Sequence, residues 1–235
     1  MLKQLASLVL AAGAVCAYAA DFNSLGSLTQ DEFHGLAQDV GAAISYKGVT
    51  PATPLGFAGF DIGVEVTDTR VQNSGALSRA GAGGKSHLFV PKLHINKGLF
   101  GGLDIGAFVG GMPDVSGTVF GADLRYALLD DTLTTPAVAL RASGTRAGGM
   151  GDLGITTAAF DVMVSKRLTA FTPYAGAGTV RVQADARGTG LSEERFNRSR
   201  AFAGLNANLL LMNFAFEVEK MGSNTSLSAK AGFRF

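Results

Sequence analysis

The chain has 235 residues, and its 20 lysines and arginines nearly balance its 19 aspartates and glutamates. A balanced chain lacks the basic surface that nucleic-acid-binding proteins use, so nucleic acid is excluded as a partner. Mean hydropathy is +0.24, yet no stretch beyond the first 19 residues approaches the roughly 20 apolar residues of a membrane helix. The apolar residues must therefore be spread over many shorter segments.

Residues 1–19 have the pattern of a cleaved secretory signal peptide. Lys3 precedes an almost wholly apolar run over residues 5–15, and residues 17–19 read Ala-Tyr-Ala, the small-x-small pattern of a cleavage site. Cys16 raises the alternative of lipid attachment, which is disfavoured because no leucine-led lipobox precedes it. Removal of the signal also removes the only cysteine, so the exported chain is predicted to have no disulfide.

Residues 20–54 are predicted to form an N-terminal segment with one amphipathic helix at residues 29–44. Thr29 and Glu32 fit a capping box at its start, and apolar residues then recur at helical spacing at Phe33, Leu36, Val40 and Ile44. Two placements remain open for this helix: against the periplasmic end of a barrel, or inside the lumen as a plug. Pro51 and Pro54 exclude a central strand just after it and favour an extended connector.

From residue 55 to residue 235 the sequence alternates between apolar and polar or glycine residues with a period of two. This pattern is typical of strands with one apolar face and one polar face, and the segments are separated by turn residues. The prediction is an all-β fold, an up-and-down antiparallel transmembrane β-barrel of about ten strands, with eight or twelve as the alternatives.

The connections are predicted to alternate in length, which orients the barrel. Outer-membrane barrels have short periplasmic turns and longer external loops, so the first strand is expected to rise from the periplasm and the tenth to return there. Long connections are predicted near residues 70–86, 111–117, 144–153 and 184–199, short ones near 97, 131, 168 and 212, and a tight hairpin near 222–224.

The last nine residues form a strand that ends on an aromatic residue. Leu227, Phe233 and Phe235 share its apolar face, and this arrangement resembles the closing strand of Gram-negative outer-membrane β-barrels. Residues 171–178, Phe-Thr-Pro-Tyr-Ala-Gly-Ala-Gly, are similar to the Pro-Tyr-x-Gly-x-Gly stretch of small barrels of the OmpA-like and OmpW-like type. The resemblance implies location in the cell outer membrane, contact with its lipid and lipopolysaccharide, and insertion by the barrel-assembly machinery, with Phe233 and Phe235 as the assembly signal.

The polar face of the strands is predicted to line the lumen. Charges enclosed in a narrow barrel must be paired or hydrated. Two states therefore remain open: a lumen filled by ion pairs, and a hydrated pore lined by both signs. The predicted lumen residues are Asp61, Glu65, Asp104, Asp123, Arg125, Arg141, Asp161, Arg181, Arg200, Glu217, Glu219 and Lys230.

No catalytic residue, cofactor or metal site is predicted. Residues 81–86 superficially resemble a phosphate-binding loop, but Arg79 stands where that motif needs glycine. The leading function is a non-enzymatic outer-membrane barrel that is structural or passes small solutes or lipophilic ligands. A surface-interaction barrel that binds lipopolysaccharide, host or phage through external loops is the alternative. A lipid-modifying enzyme using His87 or His94 is disfavoured, because their spacing supplies no nucleophile, base and orienting group together.

Overall fold

The structure is a computed structural model that describes residues 21–113 and 115–235. The signal peptide predicted for residues 1–19 lies outside the described residues. The described chain forms one closed barrel of antiparallel strands in which each strand pairs with its neighbours in sequence and β1 pairs with β10. The ten strands are β1 (Phe60–Arg70), β2 (His87–Gly98), β3 (Leu103–Met112), β4 (Val115–Leu129), β5 (Ala137–Met150), β6 (Leu153–Ser165), β7 (Phe171–Ala186), β8 (Glu194–Leu209), β9 (Met212–Met221) and β10 (Asn224–Arg234).

The strand count and the up-and-down topology confirm the predicted fold. In β1 the side chains of Ile62, Val64 and Val66 are exposed on the outer wall, while Asp61 and Glu65 face inward and are almost completely buried. The same alternation recurs around the ring, because successive side chains of a strand point to opposite faces of the sheet. The outer wall is therefore apolar, and much of the inner wall is polar.

The two ends of the barrel differ in their connections. We call the end at which β1 begins and β10 finishes the lower end, and the opposite one the upper end. The lower end has the connections at residues 99–102, 130–136, 166–170 and 210–211, and Phe100–Gly102 forms a short helical turn. The upper end has those at 71–86, 113–114, 151–152, 187–193 and 222–223, and the first of these contains helical turns at Ser74–Leu77 and Ser78–Ala82.

Two connections predicted to be long are hairpins of two residues. The strands continue through most of the segments 111–117 and 144–153, which sequence reasoning assigned to loops. Their glycines mark irregular pairing within strands: the register shifts between Gly110 and Met112 and between Ala147 and Met150. Gly117 and Gly149, which lie beside these shifts, have φ angles of 116° and 75°, a conformation that glycine adopts without strain. The tight hairpin at residues 222–223 is as predicted.

One long helix of the described chain, α1 (Gln30–Ile44), occupies the upper half of the lumen. The Thr29 hydroxyl accepts the backbone N–H of Glu32, whose side chain accepts the Thr29 backbone N–H, so the expected capping box is present. The helix contacts strands on every side of the ring, including β1, β2, β5, β6, β7, β8 and β10, which places it inside the barrel. Within the described residues, no helix combines the length and apolar character needed to cross a membrane.

The chain then runs down through the lumen to reach the start of β1. We call residues 45–55 the strap. Its residues 45–52 are buried, and it contains neither helix nor strand. The backbone N–H of Thr53 donates to the Ser165 hydroxyl at 3.2 Å, and Ser165 ends β6 at the lower end of the barrel. The described chain therefore begins near the upper end, passes through the barrel, and forms its first strand from the lower end.

Candidate functional site

The candidate site is the lumen itself, where α1 and the strap meet the inner wall. At its lower end the Lys230 ammonium lies 2.9 Å and 3.0 Å from the two carboxylate oxygens of Asp61. Arg234 approaches the same carboxylate at 3.9 Å and donates to the Thr50 hydroxyl of the strap at 3.3 Å. The bottom of the strap is thus tied to the seam between β1 and β10.

A second ion pair at the lower end also holds the strap. Arg125 on β4 pairs with Asp104 on β3, and both side chains are almost completely buried. The backbone N–H of Leu55 donates to both oxygens of Asp104, at distances of 3.2 Å and 3.1 Å. Because Asp104 binds the guanidinium and the strap together, removal of either partner would leave a buried charge with fewer hydrogen bonds.

Midway along the lumen, Glu65 is enclosed by basic side chains from β2. Lys92 donates to it at 2.7 Å and also to the Thr67 hydroxyl at 3.0 Å. His94 Nε2 lies 2.7 Å from the second Glu65 oxygen, and neither of these two atoms has a hydrogen-bond partner among the described residues. All three charged or titratable side chains are fully enclosed in the barrel.

The largest ion-pair network joins β5, β6, β8 and β9 to the strap. Asp161 accepts from Arg141 Nε at 2.9 Å and from Arg200 Nε at 2.6 Å. Arg200 also donates to the backbone carbonyl of Tyr46 at 2.8 Å. Glu219 lies 3.3 Å from the Lys47 ammonium. Asp161 and Glu219 thus link the wall to the strap through one guanidinium and one ammonium group.

Tyr46 packs in the centre of this polar layer. Its hydroxyl donates to Asp123 on β4 at 2.5 Å, and its ring lies 5.5 Å from the ring of Phe108 and 5.9 Å from that of His94. Gly106 makes room for it, since a Cβ there would lie 2.8 Å from the Tyr46 hydroxyl. A side chain of the strap therefore occupies the space that an open pore would need along its axis.

Apolar side chains fill much of the upper half of the lumen, where the buried Asp39 of α1 also accepts hydrogen bonds from the backbone N–H groups of Gln72 and Asn73. Leu36 and Val40 of α1 are fully buried in the same cluster as Val180 and Val182 of β7. Gly41 brings the helix backbone against the wall, because a Cβ at that position would lie 2.9 Å from Val182 Cγ1. This close packing forms an apolar seal above the polar layer.

The structure places nearly all of the predicted lumen residues on the inner wall. Arg181 is corrected: it is exposed on the outer wall, while its neighbours Val180 and Val182 face the helix. Sequence reasoning assigned the apolar valines to the lipid side, whereas here the apolar partner is inside the barrel. The residues found on the inner wall are Asp61, Glu65, Asp104, Asp123, Arg125, Arg141, Asp161, Arg200, Glu217, Glu219 and Lys230.

Several lumen residues were not in the predicted set. Lys92 and His94 on β2 carry an alternation signal that places them on the inner face, so the sequence could have included them. Tyr46 and Lys47 precede β1 in a strap with no periodicity, and no sequence pattern marks them as lumen residues.

The outer histidine does not form a recognisable catalytic group. His87 Nδ1 contacts Asp68 at 2.8 Å on the outer wall near the upper end, and no serine or cysteine of the described residues is hydrogen-bonded to its ring. Within residues 21–113 and 115–235, no cluster of three or more His, Cys, Asp or Glu side chains has the arrangement of a metal site. A hollow of about 190 Å³ opens at the lower mouth beside Pro51 and Arg234, below the buried strap.

Comparisons with known proteins found similar solved structures but no related sequence. No protein-family model matches the chain, and no curated protein sequence matches it. Solved structures that it resembles include the β domain of the Bordetella autotransporter BrkA (12% identity, TM-score 0.48, 75% of this chain and 99% of that one). The N-terminal β-barrel domain of Pseudomonas aeruginosa OprF matches at 12% identity and TM-score 0.38, over 74% and 97% of the two chains.

A third similar structure is the outer membrane protease OmpT from Escherichia coli, at 12% identity and TM-score 0.38, with 75% of this chain and 95% of that one covered. These similarities are at the level of architecture only.

Proposed function

We propose that this protein is a non-enzymatic barrel of the outer membrane whose lumen is closed by its own N-terminal segment, and that its role is structural and not that of an open pore. The observation that supports this most directly is the burial of residues 45–52 as they pass through the polar layer. The apolar outer wall supports insertion in a membrane, because lipid-facing and lumen-facing residues alternate along its strands.

The arrangement of charge favours a filled lumen over a hydrated one. Asp61, Glu65 and Asp161 each lie within 3.0 Å of a basic side chain, and these carboxylates are almost completely buried. In a pore lined by both signs, such groups would be exposed to water. Here each carboxylate is paired with a basic side chain of the inner wall, so the ion pairs contribute to filling the lumen.

Planar-bilayer recording of the refolded protein tests this proposal. Wild-type protein is expected to give no stable open current, with heat-dependent gel mobility confirming that the barrel is folded. A Tyr46→Ala/Lys47→Ala variant removes two side chains of the strap from the polar layer and is expected to give more frequent transient openings. A stable open current from the folded wild-type protein would contradict the proposal.

A second function, surface interaction at the upper end, is favoured by how the N-terminal segment is joined to an upper connection. Gln30 of α1 accepts the backbone N–H of Ser192 at 3.0 Å, and His34 Nδ1 lies 2.6 Å from Glu194. Arg79 of the 71–86 connection pairs with Glu32. These contacts hold the upper connections in place against α1. Binding residues are often found on loops that a rigid scaffold positions in this way.

Binding to lipopolysaccharide, host cells or phage would be measured with intact cells that display the barrel. A variant in which residues 187–193 are replaced by a short Gly-Ser loop is expected to lose that binding. The matched control replaces residues 130–136 at the lower end, where an external partner has no access. Unchanged binding by the 187–193 variant would count against this second function.

The absence of catalysis is part of the proposal and has its own test. A His87→Ala/His94→Ala variant is expected to leave lipid A and phospholipid profiles of the outer membrane unchanged relative to wild type. A change in either profile on overexpression of wild-type protein, lost in the variant, would support a lipid-modifying enzyme instead.

A further inference from the structure

Two arginines stand on the outer wall of the barrel without an internal role. Arg146 on β5 and Arg181 on β7 are both exposed. Neither guanidinium makes a hydrogen bond, ion pair or ring contact with any of the described residues. The two strands flank β6, so about two strand spacings, or about 10 Å, separate the two chains laterally. An outward arginine on a membrane-embedded wall needs a partner or water.

The pairing register places both arginines at the upper edge of the apolar band. Arg146 lies opposite the exposed Phe120 of β4. On β7, Thr179 lies opposite the exposed Phe160 of β6. Arg181 is two residues further along β7, closer to the upper end. Charged side chains are strongly disfavoured in the centre of a membrane and tolerated at its interfaces. These aromatic residues therefore mark where the apolar core ends and the headgroup region begins.

The surrounding outer wall is polar. Thr156, Gln183 and Asn197 lie in the same two rows of paired residues as the arginines. Two neighbouring acids are paired with other side chains: Glu193 accepts from Gln183 and lies 2.7 Å from Arg195, and Asp185 lies 3.8 Å from Arg187. The patch formed by Arg146, Thr156, Arg181, Gln183 and Asn197, which we call the arginine patch, therefore has two unpaired positive charges among hydrogen-bonding groups.

We propose that the arginine patch binds the phosphate groups of lipid A in the outer leaflet. This inference rests on the proposed function, because it requires the upper end to face the cell exterior. Guanidinium groups form charge-assisted, often bidentate hydrogen bonds to phosphate, and amide and hydroxyl side chains suit the sugar to which those phosphates are attached. A lipid is favoured over a soluble partner because the patch adjoins the lipid-facing Phe120 and Phe160 and lies on the strands, not on the upper connections.

The test uses full-length mature protein refolded in a zwitterionic detergent. Affinity for bisphosphorylated lipid A is measured by lipid retention in native mass spectrometry, beside lipid A lacking both phosphates and phosphatidylethanolamine. The variant is Arg146→Ala/Arg181→Ala. The control is Arg70→Ala/Lys220→Ala, which removes two exposed positive charges from β1 and β9 on another part of the wall.

The Arg146→Ala/Arg181→Ala variant is expected to bind bisphosphorylated lipid A about tenfold more weakly or worse, since a hydrogen bond to a charged group is lost at each site. The affinity of the control variant for bisphosphorylated lipid A should fall by less than about threefold, the effect expected from removing two positive charges anywhere on the surface. Equal losses in both variants, or no preference of wild type for phosphorylated lipid, would overturn the proposal.

Two further measurements cover the case in which the double variant does not refold and separate the lipid site from the proposed function. If the double variant does not refold, the single variants Arg146→Gln and Arg181→Gln are measured, and each is expected to weaken binding several-fold; unchanged binding by both overturns the proposal. Bilayer conductance of the same preparations reports separately on lumen closure. An open wild-type barrel that still prefers phosphorylated lipid would contradict the proposed function and leave the lipid site standing.

Discussion

The ammonium of Lys230 and the carboxylate of Asp61 form an ion pair across the seam where the last strand meets the first. In the register of the two strands, Lys230 lies directly opposite Glu65, and Asp61 lies opposite Arg234. Lys230 nevertheless reaches down to Asp61, while Glu65 binds Lys92 on β2. The charged side chains of the inner wall therefore pair with residues further along the neighbouring strand, and not only with the residue directly opposite in the register.

We expect Lys230→Met to destabilise the folded barrel by about 3–5 kcal/mol, because it leaves the buried Asp61 carboxylate with only the more distant Arg234. Urea unfolding of the refolded protein, followed by gel mobility, measures this loss. The Lys230→Met/Asp61→Leu variant removes both charges and should recover most of the lost stability. A double variant as unstable as the single one would contradict the reasoning.

A second prediction concerns how stability depends on pH through the hydrogen bonds to Asp131 at the lower end. Lys166 donates to Asp131 at 2.9 Å and the backbone N–H of Arg167 donates to it at 2.8 Å. The hydrogen bond from Lys166 is the main cause that holds the pKa of Asp131 below its ordinary 3.8. A lowered folded-state pKa gives stability that is present above the unfolded-state pKa and is lost as pH falls through the folded-state value.

Asp131→Asn should therefore reduce stability at pH 7 by up to about 1 kcal/mol, a small value because Lys166 is partly exposed. The difference from wild type should shrink below about pH 3.8 and vanish once Asp131 is protonated. Unfolding curves at a series of pH values measure this. Asp130→Asn, at the exposed neighbouring residue, is the control. An equal loss of stability in that variant would show that removing either negative charge has the same effect, and that the hydrogen bonds to Asp131 are not the cause.

The third prediction tests the apolar seal. Gly41→Val adds a side chain where even a Cβ would lie 2.9 Å from Val182, so we expect a loss of about 1–3 kcal/mol from overpacking. The displaced helix should also increase brief conductance events in planar bilayers. Gly75→Ala is the control, because a Cβ there meets nothing within 4 Å. Closed behaviour and unchanged stability in Gly41→Val would show that α1 does not seal the lumen.

The fourth prediction concerns assembly. Phe235 is 65% exposed, so its replacement by serine removes little burial and should change the unfolding free energy by less than about 1 kcal/mol. If Phe235 is read by the assembly machinery, the level of Phe235→Ser protein in outer-membrane fractions should still fall several-fold. Phe100→Ser, at an exposed aromatic residue outside the last strand, is the control. Wild-type levels of Phe235→Ser would contradict the prediction.

Much of the barrel was predictable because strand alternation is a local signal. Each residue on β1 from Asp61 to Val66 alternates between apolar and polar or glycine, and this reports directly which wall the side chain faces. Thr29 and Glu32 likewise identify the start of α1 through contacts three residues apart. The hairpins near residues 113 and 151 were missed because glycine-rich sequence indicates loops and strand bulges alike.

The amino-acid sequence by itself determined the number of strands, the apolar outer wall and the capped helix, since each depends on residues that are close in the chain. Only the tertiary structure decided that the helix and strap fill the lumen and that Lys230 binds Asp61. It also decided that Arg181 faces outward. The physical reason is that an alternating strand has two faces, and only the packing of distant segments decides whether its apolar face meets lipid or, as at Val180 and Val182, a helix inside the barrel.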